Sequence, residues 1–309
     1  MADGAGFTME EASYDPITAA ELLTMTIPPR RTLLTPWLPE KGLAMLYAPR
    51  GLGKTYLALS IAYAVASGGT VLRWQAPAPI PVLYIDGEMP LISLQERVTA
   101  IVAGAAHTPP SDDHLRFLAA DYFRDGIPDL ATKAGRDVLE RAAKDALLVI
   151  LDNLSSLASG RENEADDWRP MQELLLSLRR QGKTVLLVHH SGKGGQQRGT
   201  SRREDVLDTV IALRRPDDYD PTEGARFELH FEKARGFTGQ DASPFEAALR
   251  TTSGGALTWE TFDLRQDDRS IAFEMFAGGA KPAEVIKTFG VHKATAYRWY
   301  KQWKEAGGE

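Results

Sequence analysis

The run Ala48-Pro49-Arg50-Gly51-Leu52-Gly53-Lys54-Thr55 constrains this chain more than any other feature, because it lies between the apolar stretch LAMLYA and a helical stretch from Lys54 to about Ser67. It fits the phosphate-cradling loop pattern, with Ala48 in place of the usual first glycine. Glycines let backbone N–H groups converge on a phosphate, and the helix N-terminus adds a favourable dipole. Lys54 then reaches the β- and γ-phosphates, and the Thr55 hydroxyl is placed to take Mg²⁺. A glycine-rich strand–helix turn with no ligand is the plain alternative. A loop of this kind also needs a sheet behind it.

The rest of the chain supplies that sheet. Apolar runs at 81–86, 114–120, 146–151 and 184–190 alternate with amphipathic stretches through LISLQERVTAIV, around Asp129–Lys144 and over Trp168–Arg180. Strands alternating with helices predict a mostly parallel α/β sheet covered on both faces. Continuous apolar strands fit burial on both sides. After residue 205 the pattern becomes strand after strand (VLDTVIAL, ARFELHFEKAR, FEAALR, GALTWE) separated by turn signals, which predicts an antiparallel extension of the sheet. At the other end, Ile17–Met25 predicts a short helix, and Pro28-Pro29 leads into an extended linker. The expected organisation is an N-terminal tail and short helix at 1–30, a core at 31–263 and a small all-α tail at 268–309.

Composition excludes several classes. The 309 residues suit one large domain with an accessory. With no cysteine, disulfides, thiol catalysis and cysteine metal sites are ruled out. A net charge of −6 means that any nucleic-acid contact must come from a local basic cluster. No apolar run has the length of a membrane helix and the N-terminus has no leader pattern, so the chain reads as cytoplasmic, with no membrane partner.

Asp152 ends the buried strand ALLVIL, where a carboxylate can hold Mg²⁺ beside bound ATP. Asn153 follows it instead of a second acid, so a base that activates water must come from elsewhere. Glu88, in the strand-end sequence Tyr84-Ile85-Asp86-Gly87-Glu88-Met89-Pro90, is the leading candidate, with Asp86 its competitor. Strict alternation along ARFELHFEKAR would put Phe227, Leu229 and Phe231 on one face, with Lys233 and Arg235 leaving the strand end on that same side.

Two stretches suit nucleic acid. Ser191–Arg203 carries Lys193, Arg198, Arg202 and Arg203 among glycines with no acid, as befits a loop that grips a phosphate backbone; a solvated loop is the alternative. Pro282–Lys301 fits a helix-turn-helix, with Val285, Phe289, Val291, Ala296 and Trp299 at apolar positions and Gly290 at the turn. Ile286 departs from the pattern, since a small residue usually stands there. Residues 281–305 hold six basic and two acidic side chains, net +4. His292, Lys293, Thr295, Tyr297 and Arg298 fall where base edges are read. A small helical cap or partner-docking module is the alternative.

Taken together, APRGLGKT, YIDGEMP, LLVILDNLSSL, VLLVHHSGK and FEKARG resemble the RecA-like hexameric ATPases over about residues 17–250, specifically the plasmid RepA-type replicative helicases and their AAA_25 relatives. The tail is similar to resolvase-type helix-turn-helix tails. The resemblance implies a RecA-like P-loop NTPase fold, with ATP and Mg²⁺ as cofactors and Glu88 as the base. It also implies His190 as a γ-phosphate sensor, Arg97 against the adenine, and Lys233 and Arg235 acting in trans at a neighbour's site. The loop after His190 would face a single-stranded DNA channel in a homo-hexamer, with duplex DNA at the tail. The expected function is a ring-forming replicative DNA helicase of a plasmid or mobile element. The alternative is a non-unwinding, ATP-dependent DNA-binding switch. A small-molecule kinase would have no use for the basic loop or the tail.

Overall fold

The computed structural model describes residues 15–158, 165–191, 205–216, 219–264, 268–289 and 293–307. The chain divides into two units, residues 1–31 and residues 32–309. In the first, α1 (Ala19–Thr24) starts at Thr18, whose hydroxyl accepts from the Glu21 N–H while the Glu21 carboxylate accepts from the Thr18 N–H. This reciprocal cap satisfies donors that a short helix cannot pair internally.

The second unit opens with a hairpin of β1 (Thr32–Leu34) and β2 (Leu38–Pro39). Residues 26–31 before it are irregular and exposed, as expected of a linker after Pro28-Pro29. Leu33, Leu34, Trp37 and Leu38 are at most 1 % exposed, so the hairpin is part of the buried core.

β3 (Leu43–Ala48) leads through the phosphate loop into α2 (Lys54–Ser67), followed by a small hairpin, β4 (Thr70–Val71) and β5 (Trp74–Gln75). Then come β6 (Val82–Asp86), α3 (Leu91–Gly104), β7 (Leu115–Ala119), α4 (Lys133–Ala142), β8 (Leu148–Asp152), the single turn α5 (Leu154–Leu157), α6 (Ala165–Arg180) and β9 (Thr184–His190). Four antiparallel-paired strands follow: β10 (Thr209–Arg214), β11 (Arg226–Ala234), β12 (Phe245–Thr251) and β13 (Leu257–Asp263). They assemble one nine-stranded sheet in the order β13-β12-β11-β10-β3-β9-β8-β6-β7, parallel from β10 through β7. This is the α/β fold expected, with the antiparallel extension on one side.

Alternation along the strands divides the core into two layers. Ala44, Leu46 and Ala48 of β3 face the layer containing α2 and α3, whereas Leu43, Met45 and Tyr47 face the layer of α4, α5 and α6. Burial on both faces explains why β3, β6, β8 and β9 read as continuous apolar runs.

β11 breaks that alternation. Ile211 pairs with Phe231 but Val210 pairs with Lys233, which leaves Glu232 as an extra residue, a β-bulge. Phe227, Leu229, Phe231 and Ala234 all pack in the α2 layer, while Val210, the partner of Lys233, packs in the opposite one. Lys233 therefore points away from the Phe227 face, and the same-side expectation is corrected. The bulged Glu232 is tied by the Tyr47 hydroxyl at 2.5 Å and by Arg214 at 3.0 Å.

At the C-terminal end, α7 (Asp268–Ala277), α8 (Pro282–Phe289) and α9 (Lys293–Glu305) pack around Ala272, Phe276, Val285, Ala296 and Trp303. Two helices were legible as a helix-turn-helix, and α7 adds a third. Ile286 is accommodated partly buried against this core, as are Phe289 and Trp299. Gly290, Val291 and His292 lie outside the described residues. Among the described residues no helix is long and apolar enough to cross a membrane.

Candidate nucleotide site

The parallel neighbours β3, β9, β8 and β6 end side by side, with Ala48 opposite His190 and Asp86 opposite Asp152. Their C-terminal ends open into a cleft of about 580 Å³. Lining it are Arg50, Gly51, Gly53, Lys54, Thr55, Glu88, Arg97, Asp152 and His190, together with Tyr56, Asp86, Asn153 and Tyr219.

The loop has the backbone its glycines require. Gly51 and Gly53 both have positive φ, +76° and +99°, a region costly for other residues. At Gly53 a Cβ would also stand 2.6 Å from the Ala225 Cβ, so the β10–β11 connection presses directly on the loop. Ala48, by contrast, closes a regular strand position, which is why it substitutes for the pattern's first glycine. Leu52 is fully buried and anchors the loop. Lys54 is folded back, donating to the carbonyls of Ala48 (3.0 Å) and Pro49 (2.8 Å). Burial pushes its ammonium down to about 8, against the pull of Asp152 and Glu88.

Asp152 is 4 % exposed, and burial pushes its carboxyl upward. The Tyr84 hydroxyl donates to its Oδ2 at 2.5 Å, and the Thr55 hydroxyl hydrogen-bonds it as well. Tyr84 is itself held far above its usual range, first by burial and then by Asp152. Thr55 and Asp152 are hard oxygen donors in contact with each other. A single carboxylate and a hydroxyl beside a phosphate site fit Mg²⁺, which keeps waters and shares phosphate oxygens.

Glu88 reaches the cleft from the turn after β6. Asp86 accepts from the N–H groups of Glu88 (3.2 Å) and Met89 (2.7 Å), and burial pushes it up to about 6 against those hydrogen bonds. Asp86 is thereby occupied in shaping the turn that presents Glu88. Glu88 Oε2 accepts from the Asn153 side-chain amide and lies 3.9 Å from His190 Nε2. On the far wall, the Arg97 guanidinium stacks over the Tyr56 ring at 4.5 Å.

Not every expected residue converges. Among the described residues lining the cleft, Lys233 and Arg235 do not appear; Arg235 is exposed just past the end of β11. Lys193, Arg198, Arg202 and Arg203 lie outside the described residues. Lys293 and Arg298 are exposed on α9, which also carries Thr295. Sequence reading missed Tyr56, Tyr84 and Tyr219, and it noted Asn153 only as a missing acid. The adjacency of Asn153 to Asp152 was its one available signal.

A glycine loop between a central parallel strand and a buried helix, with a carboxylate on the neighbouring ladder, defines a RecA-like P-loop NTPase. The AAA_25 family model, an AAA domain, matches residues 8–196, more than half of the chain, and the chain belongs to that family. A second model, a homeodomain-like domain (HTH_23), matches residues 263–309. Among solved structures, a KaiC-like protein from the hyperthermophilic archaeon Pyrococcus horikoshii OT3 shares the fold, with a TM-score of 0.51 at 15 % identity over 75 % of this chain and 99 % of that one.

Proposed function

We propose that this chain is an ATP-hydrolysing DNA motor, a ring-forming replicative helicase of a plasmid or other mobile element. What supports the hydrolytic half is the placement of Glu88 in the same cleft as Lys54, Thr55 and Asp152, with His190 beside it. Lys54 turns from its own loop's carbonyls to the β- and γ-phosphates. Thr55 and Asp152 would hold Mg²⁺, whose charge would supply electrostatic stabilisation of the phosphates. Glu88 accepts a proton from a water whose oxygen bonds to the γ-phosphorus as the bond to the bridging oxygen of ADP breaks. His190, between the base and the basic segment 191–203, reports whether a γ-phosphate is present. Arg97 and Tyr56 receive the adenine. Lys233 and Arg235 complete a neighbour's site in a homo-hexamer, and Lys193, Arg198, Arg202 and Arg203 face single-stranded DNA in the channel. On α9, Lys293, Thr295 and Arg298 contact duplex DNA.

One observation favours a second reading. The three C-terminal helices have their own small core and a basic exposed helix, the build of a duplex-reading module. The protein would then be an ATP-dependent DNA-binding switch that does not unwind. Strand displacement on a forked duplex separates the two: ATP-dependent release of the displaced strand supports the motor, and nucleotide-dependent duplex binding without displacement supports the switch.

A further inference from the structure

β6 ends at Asp86, so Glu88 stands beyond the last ladder pair, with a side chain 61 % exposed. Its backbone is well fixed. Asp86 accepts from the N–H groups of Glu88 and Met89, and the Gly87 N–H donates to the Asp152 carbonyl at 2.9 Å. A Cβ at Gly87 would stand 2.5 Å from Ser156 Oγ, which shows how closely the turn rests on α5. These contacts set the Glu88 Cα and leave the carboxylate free to rotate. An exposed glutamate side chain samples several rotamers.

The contact that fixes the carboxylate comes from Asn153, itself 5 % exposed. Its Oδ1 accepts from the Ser156 N–H at 3.2 Å as the N-cap of α5. That orients the amide, so Nδ2 must face the other way, onto Glu88 Oε2. We propose that Asn153 is a positioning residue for hydrolysis: it holds one oxygen of Glu88 and leaves the other to meet the attacking water. The proposal rests on the assignment of Glu88 as the base. It also accounts for a neutral residue after Asp152. An acid there would set a second negative charge against Glu88, and an apolar residue would leave the carboxylate untethered.

Capping and positioning can be separated, because serine and aspartate both cap helices well but neither has an amide donor. Asn153→Ser and Asn153→Asp are each expected to lower kcat about tenfold to a hundredfold, the scale of a misplaced catalytic group. Asn153→Asp should fall further, while affinity for a fluorescent ADP analogue stays within about twofold. Adding Asn153→Ser to Glu88→Gln should cost nothing more, since the group to be positioned is already lost. Wild-type kcat in both single variants overturns the proposal and leaves Asn153 a helix cap. Parallel loss of kcat and nucleotide affinity also overturns it, because that is the mark of a general structural role. If Glu88→Gln itself turns over normally, the base assignment fails. If Glu88→Gln is inactive while Asn153→Asp hydrolyses normally, the positioning role alone fails.

Discussion

The nucleotide cleft and the C-terminal three-helix unit carry charge in opposite ways. In the cleft, Lys54 and Asp152 are 5 % and 4 % exposed, and their hydrogen-bond partners come from within the protein. On α9, Lys293, Arg298, Lys301 and Lys304 are exposed to solvent around a core of a few residues. Burial makes Lys54 and Asp152 expensive to alter and weakly screened, because interactions there run at low effective dielectric. Exposure makes the helical surface additive, salt-sensitive and tolerant of single changes. One chain thus pairs a buried polar site with a solvated basic surface.

The strongest way to break that contrast is Arg235, an exposed residue whose loss should nonetheless be severe. If it acts as a finger in a neighbour's cleft, Arg235→Ala lowers ATP turnover on the order of 10³-fold or more. Nucleotide affinity should change little, because the effect falls on the transition state. Mixing Arg235→Ala with Lys54→Ala should recover part of the activity. Mixed rings contain interfaces with an intact phosphate loop on one side and an intact arginine on the other. No recovery between subunits shown to exchange would return Arg235 to an ordinary solvated strand end.

Within the cleft, two substitutions should separate binding from chemistry. Glu88→Gln keeps shape and nucleotide affinity while reducing turnover by roughly 10² to 10⁴-fold, the usual share of a general base. Lys54→Ala removes the main positive charge facing the β- and γ-phosphates and abolishes binding, as measured by equilibrium titration. Normal turnover in Glu88→Gln would move the base role to Asp86.

The same contrast explains what could be read from the sequence. The loop at 48–55 and Asp152 were legible because each sits at the end of a strand whose apolar run is unmistakable, Glu88 because it follows such an end by two residues, and His190 through the resemblance; parallel strands in one sheet bring such ends together. The β1–β2 hairpin was not legible as strands, because two- and three-residue strands are too short to show a period. Nor was the turn of Lys233 away from the Phe227 face, since a bulge depends on strand pairing and leaves no local signature in FEKAR. Asn153 was visible only as an absence, because an amide's role depends on which two groups lie at its ends. Helix α7 escaped because Ala272 and Phe276 gain meaning only when packed on Val285, Ala296 and Trp303.

A smaller effect follows from the buried lysine. Lys54 has its ammonium pushed down to about 8, from 10.5. Below about pH 8 it is already charged, and ATP affinity should not change on its account. Above that value the free protein must take up a proton to bind, so affinity should fall by up to tenfold per pH unit. Stability of the nucleotide-free protein should move the other way between about pH 8 and 10.5. The unfolded chain binds the extra proton there, so raising pH relieves the cost of a buried charge. Asp86, pushed up to about 6, titrates below this window. Flat affinity across pH 7.5 to 9.5 would show that Lys54 stays protonated in the free protein.

The smallest single-site effect belongs to α9, and it tests the exposed half of the comparison. Deleting residues 268–309 should leave basal ATP hydrolysis intact while weakening duplex binding, because the cleft residues all precede the deletion. Within that unit, Arg298→Ala removes one of six basic side chains between residues 281 and 305, where the net charge is +4. A phosphate contact predicts a loss of a few fold on any duplex, with the slope of log affinity against log salt reduced by about 0.9. A base contact predicts a different pattern: a loss of about 1–3 kcal/mol confined to the preferred sequence, with little change in slope on random DNA. Titrations at several salt concentrations, on a selected site and on random duplex, distinguish the two. If truncation leaves duplex affinity unchanged, the three helices are a protein-docking module, and the exposed basic surface of α9 is then a solvated face with no share in DNA binding.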